Sequence, residues 1–416
     1  MKQARPYPRI VVTRKAARSL KAGHPWVFEG EVLEAEPCAN GSVVDVFEEN
    51  GTWQGAGLLS QESKIRVRIV TRNANDRVDE AFWTRRVAWA WEHRKVAMGG
   101  RALPGCEPDT NACRVVFSEA DGMPGLIVDR YEHVLVAQVG TVGMELLRPT
   151  IYPLLLQTLQ ADGQDVRCIY ERNDSPARAK EGLPQYKGWW DGEASEVPKS
   201  ARIKVVENGL VFDLDIENSQ KTGFFLDQKY NRRAAAQLAP GKRVLDCFTH
   251  TGAFGLNCAA AGAASVVSVD VSEDALATAR HNAELNGLQD CVEYLCADVF
   301  DLLTKLAGQK RGAYDYIILD PPAFTKSSAT VANAIRGYKE INLKAMRILP
   351  RGGYLATCSC SHFMTDDRFR AMLADAAKDA QVSLRQIEAR QQGPDHPILW
   401  NVPETDYLKF YLFQIV

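Results

Sequence analysis

A glycine-rich phosphate loop is missing from this sequence. Neither G-x-G-x-x-G nor G-x-x-x-x-G-K-[ST] occurs, so there is no backbone cradle for a diphosphate or triphosphate, and a nicotinamide dehydrogenase is disfavoured. An excess of one charge is missing too. Fifty Lys and Arg stand against 52 Asp and Glu, for a net charge of -2, so attraction to nucleic acid must come from local patches. No run of about 18 apolar residues occurs, and no membrane span is expected. The start, MKQARPYPRI, has no apolar core of a signal peptide. The ten cysteines form no framework. Cys358 and Cys360 are the closest pair, Cys291 and Cys296 stand isolated, and no second pair has zinc-like spacing. Free thiols in a reducing cytoplasm, with no metal, are expected.

What is present is ordinary in bulk: 416 residues, 46% hydrophobic and 25% charged. This suits a globular chain of two or three domains. The organising stretch runs from Lys242 to Asp270. Val244-Leu245-Asp246 is an apolar run ending in an acid. A turn from Cys247 to Gly252, a small-residue helix from Ala253 to Ala261, and a second apolar run from Ser265 to Asp270 follow. This reads as the first βα unit of a doubly wound sheet, whose ligands bind at the carboxyl ends of the strands. The single turn glycine, Gly252, suits a nucleoside without phosphates, of which S-adenosylmethionine is the common one. Asp270, about 20 residues into the unit, suits a ribose diol. An ordinary buried βαβ unit is the bland alternative.

Upstream, residues 1 to 28 hold seven basic residues (Lys2, Arg5, Arg9, Arg14, Lys15, Arg18, Lys21) and no acid. A strand over Arg9 to Thr13 and a basic helix over Arg14 to Leu20 are expected. Lys64 to Ile69 alternates basic and apolar residues, the pattern of a half-buried strand. Gly41, Gly51, Gly55 and Gly57 are spaced like turns in a small β-barrel. This basic region is either an RNA-backbone surface, with Arg14, Lys15 and Arg18 on it, or a solvated face. A helix then runs to about Met98, stopped by Gly99-Gly100, with Phe82, Trp83, Trp89 and Trp91 read as core. Strands near 114–118, 125–129, 134–140 and 166–171 and a helix near 144–159 make a second α+β unit. Residues 182–200 read as a linker. A hairpin turns at Asn208-Gly209. Regular αβ alternation follows from Lys242, and two antiparallel strands are expected between Asp395 and Val416. The domains are therefore 1–75, 76–190 and 191–416.

Two more acids fall at strand ends. Asp298 is placed to accept from an adenine amino group. Asp320 opens Asp320-Pro321-Pro322-Ala323-Phe324, which two prolines turn into a rigid loop that continues neither a central strand nor a helix. The next strand delivers Thr357-Cys358-Ser359-Cys360-Ser361. Carbon 5 of a pyrimidine is a poor nucleophile until a thiolate adds to carbon 6. That chemistry needs a cysteine, an acid near the base edge, and a base for the carbon-5 proton. A buried, inert cysteine is the alternative. His362 is read as a loop residue.

These motifs resemble the bacterial class I S-adenosylmethionine-dependent methyltransferases of the large-subunit methyltransferase I type, which form 5-methylcytosine in 23S ribosomal RNA. The resemblance rests on several stretches along nearly the whole chain. They are His24 to Phe28, Glu119 to Gly125, Ile169 to Arg172, Lys221 to Gln228, Asp246-Cys247-Phe248, Asp320 to Phe324 and Ser359-Cys360-Ser361. Lys221 to Gln228 is the most specific. It implies an N-terminal PUA domain that binds RNA, a central α+β domain, and a C-terminal Rossmann-like α/β methyltransferase domain. It further implies that Gln228, Asp246, Phe248, Gly252, Asp270, Asp298 and Asp320 hold S-adenosylmethionine. Cys360 is then the nucleophile, with Asp320 acting on the target base and Pro321, Pro322 and Phe324 against the substrate. Large-subunit rRNA is the implied partner in a cytoplasmic protein, with a homodimer left open. The loop departs from other 5-methylcytosine RNA enzymes in carrying Pro322 where a second cysteine would stand. A guanine N-methyltransferase and a catalytically inert RNA-binding protein are the competing readings.

Overall fold

The computed structural model describes residues 5–192, 195, 197–198, 200–219, 222–309, 311–325 and 327–416. Lys2 and Lys221 lie outside them. The chain forms two compact units. The first contains Met1–Val205, Leu214–Leu226 and Pro394–Thr405, and the second Val206–Asp213, Asp227–Gly393 and Asp406–Val416.

The first unit begins with β1 (Arg9–Val12), α1 (Arg14–Lys21), β2 (Trp26–Phe28), β3 (Val32–Ala35), β4 (Val43–Glu48), β5 (Trp53–Leu59) and β6 (Ile65–Thr71). Their sheet order is β2-β6-β5-β4-β1-β3. Thr13 caps α1, its hydroxyl accepting from Ala16 N at 3.3 Å. Ala16 and Leu20 drop onto a core of Ile10, Val12, Val27, Val44, Val46 and Val67. Gly41 and Gly51 occupy turns at positive φ. Gly55 and Gly57 do not. They lie inside β5, where a Cβ at Gly57 would come within 2.5 Å of Arg68 O. Close strand approach, not turning, requires glycine there.

On the alternating basic face that leads into β6, Lys64 is exposed but Arg68 is buried. Arg68 is 7% exposed, and its guanidinium donates to Glu181 at 2.8 Å. Glu181 also accepts from Ser60 Oγ at 2.6 Å. Arg66 pairs with Glu29 at 2.6 Å, and Arg5 pairs with the buried Asp45 at 2.8 Å. Only a tertiary partner distinguishes such a buried arginine from a surface one. In α1, by contrast, Arg14, Lys15 and Arg18 are exposed, the first two within 3.7 Å and 3.6 Å of Glu49 and Glu31.

The rest of this unit has α2 (Glu80–Met98), β7 (Ala112–Phe117), β8 (Leu126–Tyr131), β9 (Val134–Val139), α3 (Val142–Ala161), β10 (Cys168–Asn173) and β11 (Tyr186–Trp189). The sheet order is β11-β10-β9-β8-β7, and α3 provides the crossover that parallel β9 and β10 require. Phe82, Trp83 and Trp91 are core, whereas Trp89 is 59% exposed beneath the Arg86 guanidinium. The expected linker contains β11, paired with β10 through Tyr170↔Trp189. Its aromatics pack edge-on, Tyr170 on Trp189 and Tyr152 on Trp190. Aromatic packing across strands carries that segment, and no periodicity announces it.

A hairpin, β12 (Arg202–Glu207) and β13 (Leu210–Asp215), turns at Asn208 and Gly209, both at positive φ. This is the geometry that Asn-Gly favours. The second unit continues with α4 (Lys229–Ala236), β14 (Arg243–Cys247), α5 (Ala253–Ala260), β15 (Ser265–Asp270), α6 (Glu273–Leu285), β16 (Val292–Cys296) and α7 (Val299–Ala307). Then come β17 (Tyr316–Leu319), α8 (Val331–Ile348), β18 (Tyr354–Ser359), α9 (Asp366–Ala380), β19 (Leu384–Arg390) and β20 (Lys409–Ile415). They form one sheet in the order β16-β15-β14-β17-β18-β20-β19, with β14 to β18 parallel and β20 antiparallel to both neighbours. The strand order reverses between β14 and β17, where such sheets open a crevice for ligands. One side of the sheet buries Leu245, Ile317, Leu319 and Leu355 against Tyr338, Met346 and Phe369. Each such side chain contributes roughly 1.5–3 kcal/mol. The partner of β20 lies upstream of Asp395, contrary to expectation. Pro394, Pro397 and Pro403 remove ladder donors from the intervening segment.

Breaking the Arg68–Glu181 pair leaves a buried carboxylate uncompensated. Arg68→Met should destabilise the first unit by about 3–5 kcal/mol. Urea unfolding followed by tryptophan fluorescence checks this, and a loss below about 1 kcal/mol would mean that the pair is solvated.

Candidate active site

The parallel strands of the second unit end in a row of acids. Asp246, in β14, is 1% exposed. Its Oδ2 accepts from the Thr249 hydroxyl and, at 2.9 Å, from Gly255 N in α5. These bonds shape the loop from Phe248 to Gly252. Phe248 and His250 both take positive φ, at 63° and 50°, and Gly252 sits at 85°. Two non-glycine residues in the left-handed region signal a backbone held against its preference by its surroundings. A Cβ at Gly255 would come within 2.5 Å of Ser268 Oγ and 3.0 Å of Asp246 Oδ2. That glycine therefore lets α5 pack on the strands, a role the sequence reading missed. Burial raises Asp246 to about 7, against the opposing pull of its two donors.

Asp270 ends β15. It accepts from His250 N at 2.9 Å through Oδ2 and from Ser272 N at 3.0 Å through Oδ1. It is half-buried, and each oxygen retains a lone pair after its backbone bond. Asp298 is exposed and caps α7, its Oδ1 accepting from Phe300 N at 2.7 Å. Gly252 is buried against α6, where a Cβ would lie 3.0 Å from that of Ala279. Phe248 is half-buried on the sheet core.

Asp320 follows β17, and Gln228 Nε2 donates to its Oδ1 at 3.0 Å. Gln228 Oε1 accepts from Asn231 Nδ2 at 2.7 Å, and Asn231 Oδ1 accepts from Arg390 at 3.1 Å. Both polar ends of the Gln228 amide are thus committed, which orients it toward Asp320. Gln228, expected among the cofactor residues, thus also braces the acid. Asn231, three residues on, was not singled out from the sequence, though this spacing gives it the same helix face. Burial, then the nearby Asp227 carboxylate, pushes Asp320 up to about 6. In the following loop Pro321 is buried and Pro322 exposed. Phe324 is half-buried between Tyr338 and Phe300, with ring centroids at 4.5 Å and 5.8 Å. It supports the loop.

All ten cysteines are free thiols. Cys358 is fully buried, and burial with the Asp320 charge pushes its thiol well up. Cys360 is half-buried just past β18, its Sγ 4.0 Å from Pro321 O. Ser361 Oγ donates to Thr325 O at 2.9 Å, tying this loop to the one that carries Asp320. His362 packs edge-on against Phe363. The structure thus brings Asp246, Asp270, Asp320 and Cys360 to the ends of adjacent strands, and sets Asp298 at the head of α7.

A family model for S-adenosylmethionine-dependent methyltransferases matches residues 184–414, more than half of the chain. The chain belongs to that family. A second model, for a PUA-like domain, matches residues 10–72 of this methyltransferase. Among curated relatives it is 42% identical over 405 residues to ribosomal RNA large subunit methyltransferase I of Shewanella amazonensis, covering 96% of this chain and 98% of that one. It is 38% identical over 413 residues to the protein of the same name from Salmonella arizonae, covering 99% and 98%. Two solved structures share the fold. An S-adenosylmethionine-dependent methyltransferase of Streptococcus mutans aligns over 98% of this chain and 99% of its own, with a TM-score of 0.78 and 20% identity. A methyltransferase complexed with SAH aligns over the same shares, with a TM-score of 0.79 and 20% identity. The fold is therefore a class I methyltransferase fold with an N-terminal PUA-like domain, and its cofactor is S-adenosylmethionine. The available carboxylate oxygens of Asp270 fit a ribose diol, and no polyphosphate cradle competes. Among the described residues, no helix is long and apolar enough to cross a membrane.

The buried carboxyl of Asp246 should make the stability of the methyltransferase depend on pH. Folded Asp246 keeps its proton to about 7, while its ordinary value is 3.8. The native state therefore holds the extra proton between these values, and this stabilising contribution is lost as pH rises through the window. Asp246→Asn, which mimics the protonated form, should gain stability relative to the parent from pH 4 to about pH 7, and the difference should level off above. Urea midpoints across pH 4–9 check this, and a pH-independent difference would contradict it.

Proposed function

We propose that this methyltransferase forms 5-methylcytosine in large-subunit ribosomal RNA through a transient bond between Cys360 and carbon 6 of the base. The observation carrying the reading is the placement of the two thiols. Cys360 is the accessible one, 4.0 Å from the carbonyl of Pro321 in the loop headed by Asp320, whereas Cys358 is sealed in the strand. The curated relatives named ribosomal RNA large subunit methyltransferase I support the substrate class.

S-adenosylmethionine supplies a methyl group on a positively charged sulfur. Asp270 would hold its ribose and Asp298 its adenine, while Asp246 and Gly252 hold the loop between them and Phe248 flanks it. Asp320, raised to about 6, exchanges a proton near neutral pH and suits a role at ring nitrogen 3. As the Cys360 thiolate bonds to carbon 6, the carbon 5–carbon 6 π pair shifts toward carbon 5, which takes the methyl. When a base removes the carbon-5 proton, the C–H pair restores the double bond and expels the thiolate. The target base must leave its stack to reach Cys360, so a flexible or single-stranded rRNA segment is expected. The exposed Arg14, Lys15 and Arg18 of α1 would meet the RNA backbone.

Asp270→Ala should weaken S-adenosylmethionine binding by roughly 2–4 kcal/mol, because two hydrogen bonds to a charged acceptor are lost. Titration calorimetry checks it, and equal affinity would remove Asp270 from the site. For the nucleophile, RNA with 5-fluorocytosine at the target should trap the enzyme, since fluorine cannot leave as a proton. With S-adenosylmethionine present, a denaturant-resistant adduct should map to Cys360. Cys360→Ala should give neither adduct nor product, and Cys358→Ala should retain both. Normal methylation of unsubstituted RNA without any adduct would instead favour N-methylation at the Asp320 loop.

A further inference from the structure

Lys409 is a buried cation with an unusual set of partners. It opens β20 and is 5% exposed. Its register partner is Ser359, the last residue of β18. Its Nζ donates to two backbone carbonyls, Ser361 O at 2.7 Å and Tyr407 O at 3.0 Å. Among the described residues, no carboxylate lies within ion-pairing distance of it. An ammonium whose hydrogen-bond acceptors are carbonyl dipoles bears a desolvation cost that nearby anions offset.

The surroundings of Lys409 hold two carboxylates and one group that can become an anion. Ser361 directly follows Cys360, and Lys409 is in electrostatic reach first of Asp406, then of the Cys360 sulfur and Asp366. Neutral and acidic groups are among those around Cys360. They include Cys358 in β18, the phenol of Tyr338 in α8, and Asp320 beyond β17 through its field on both. Arg232 also reaches the field of Asp320, but its guanidinium is held by the Glu207 carboxylate at 2.6 Å and 2.7 Å. A positive charge nearby favours a thiolate at Cys360, whereas the thiol contact with Pro321 O favours the protonated form.

We propose that Lys409 is the positioning residue of the nucleophile: its ammonium stabilises the Cys360 thiolate, and its bond to Ser361 O fixes the loop that presents the sulfur. The thiol proton leaves to solvent and Lys409 stays cationic, so no proton is exchanged between the two. Burial lowers the amine to about 8, which leaves it charged at neutral pH. The antiparallel strand beside β18 thus supplies a positive charge at this end of the sheet. The catalytic meaning of this pair rests on the reading of Cys360 as nucleophile, but its electrostatics can be measured without RNA.

The test is the pH dependence of Cys360 alkylation by iodoacetamide in the full chain, read by fragment ions that separate Cys360 from Cys358. Lys409→Met should move the midpoint up by about one pH unit, with alkylation near neutral pH slowed about tenfold. Lys409→Arg should stay close to the parent. A midpoint unchanged in folded Lys409→Met overturns the proposal. If that variant does not fold, the parent decides. Its Cys360 midpoint should lie below that of the same cysteine in the urea-unfolded chain, and a midpoint at or above it overturns the proposal. A shifted midpoint with no fluorocytosine adduct would uphold Lys409 and reject the cytosine reaction. An adduct with an unmoved midpoint would do the reverse.

Discussion

The buried carboxyl group of Asp246 is the constraint on which the site depends. A charge-bearing group in the middle of a parallel sheet is costly unless its oxygens find donors. Here the donors come from the loop it must shape, the Thr249 hydroxyl, and from the helix that follows, Gly255 N. Satisfying one acid therefore sets both the unusual backbone at Phe248 and His250 and the close seat of α5. The His250 N–H, so directed, then fixes Asp270 on the next strand. Strain in the loop and order in the acid row have the same origin.

A parallel relationship holds across the strand-order reversal. Asp320 is fixed by Gln228, Gln228 by Asn231, and Asn231 by Arg390, a chain of side-chain hydrogen bonds that leaves the central amide no freedom to flip. Desolvation raises both Asp246 and Asp320 toward neutrality, and lowers Lys409 to about 8. Three groups at one end of one sheet thus titrate nearer to neutral pH than they would in water. Such a cluster suits chemistry that gains and loses protons, and a structural network of acids alone would not include the cation.

The basic residues of the first unit fall into two groups by their surroundings. Arg5, Arg66 and Arg68 are bound to carboxylates within the fold, while Arg14, Lys15 and Arg18 project from a short helix whose apolar side is only Ala16, Ala17 and Leu20. Local pattern cannot separate the two groups, because an arginine on an alternating strand looks alike whether it faces water or a carboxylate from a distant segment. For Arg68 that carboxylate, Glu181, lies 113 residues away.

The regular alternation from Lys242 onward, the Asn208-Gly209 hairpin, the helix α1 and the acids at the ends of β14 and β15 were all legible in the sequence. They follow from short-range rules: apolar period, turn chemistry and the fixed place of ligands in a wound sheet. Thr222 to Gln228 was legible as a motif but not as a division, since the chain passes between its two compact units at Leu226–Asp227. The identity of β19 as the partner of β20, the strand hidden at Tyr186–Trp189, and the roles of Gly255, Asn231 and Lys409 were decided by tertiary structure. Each depends on a partner far along the chain, and burial, which sets both the cost of a charge and its protonation, exists only once those partners have met.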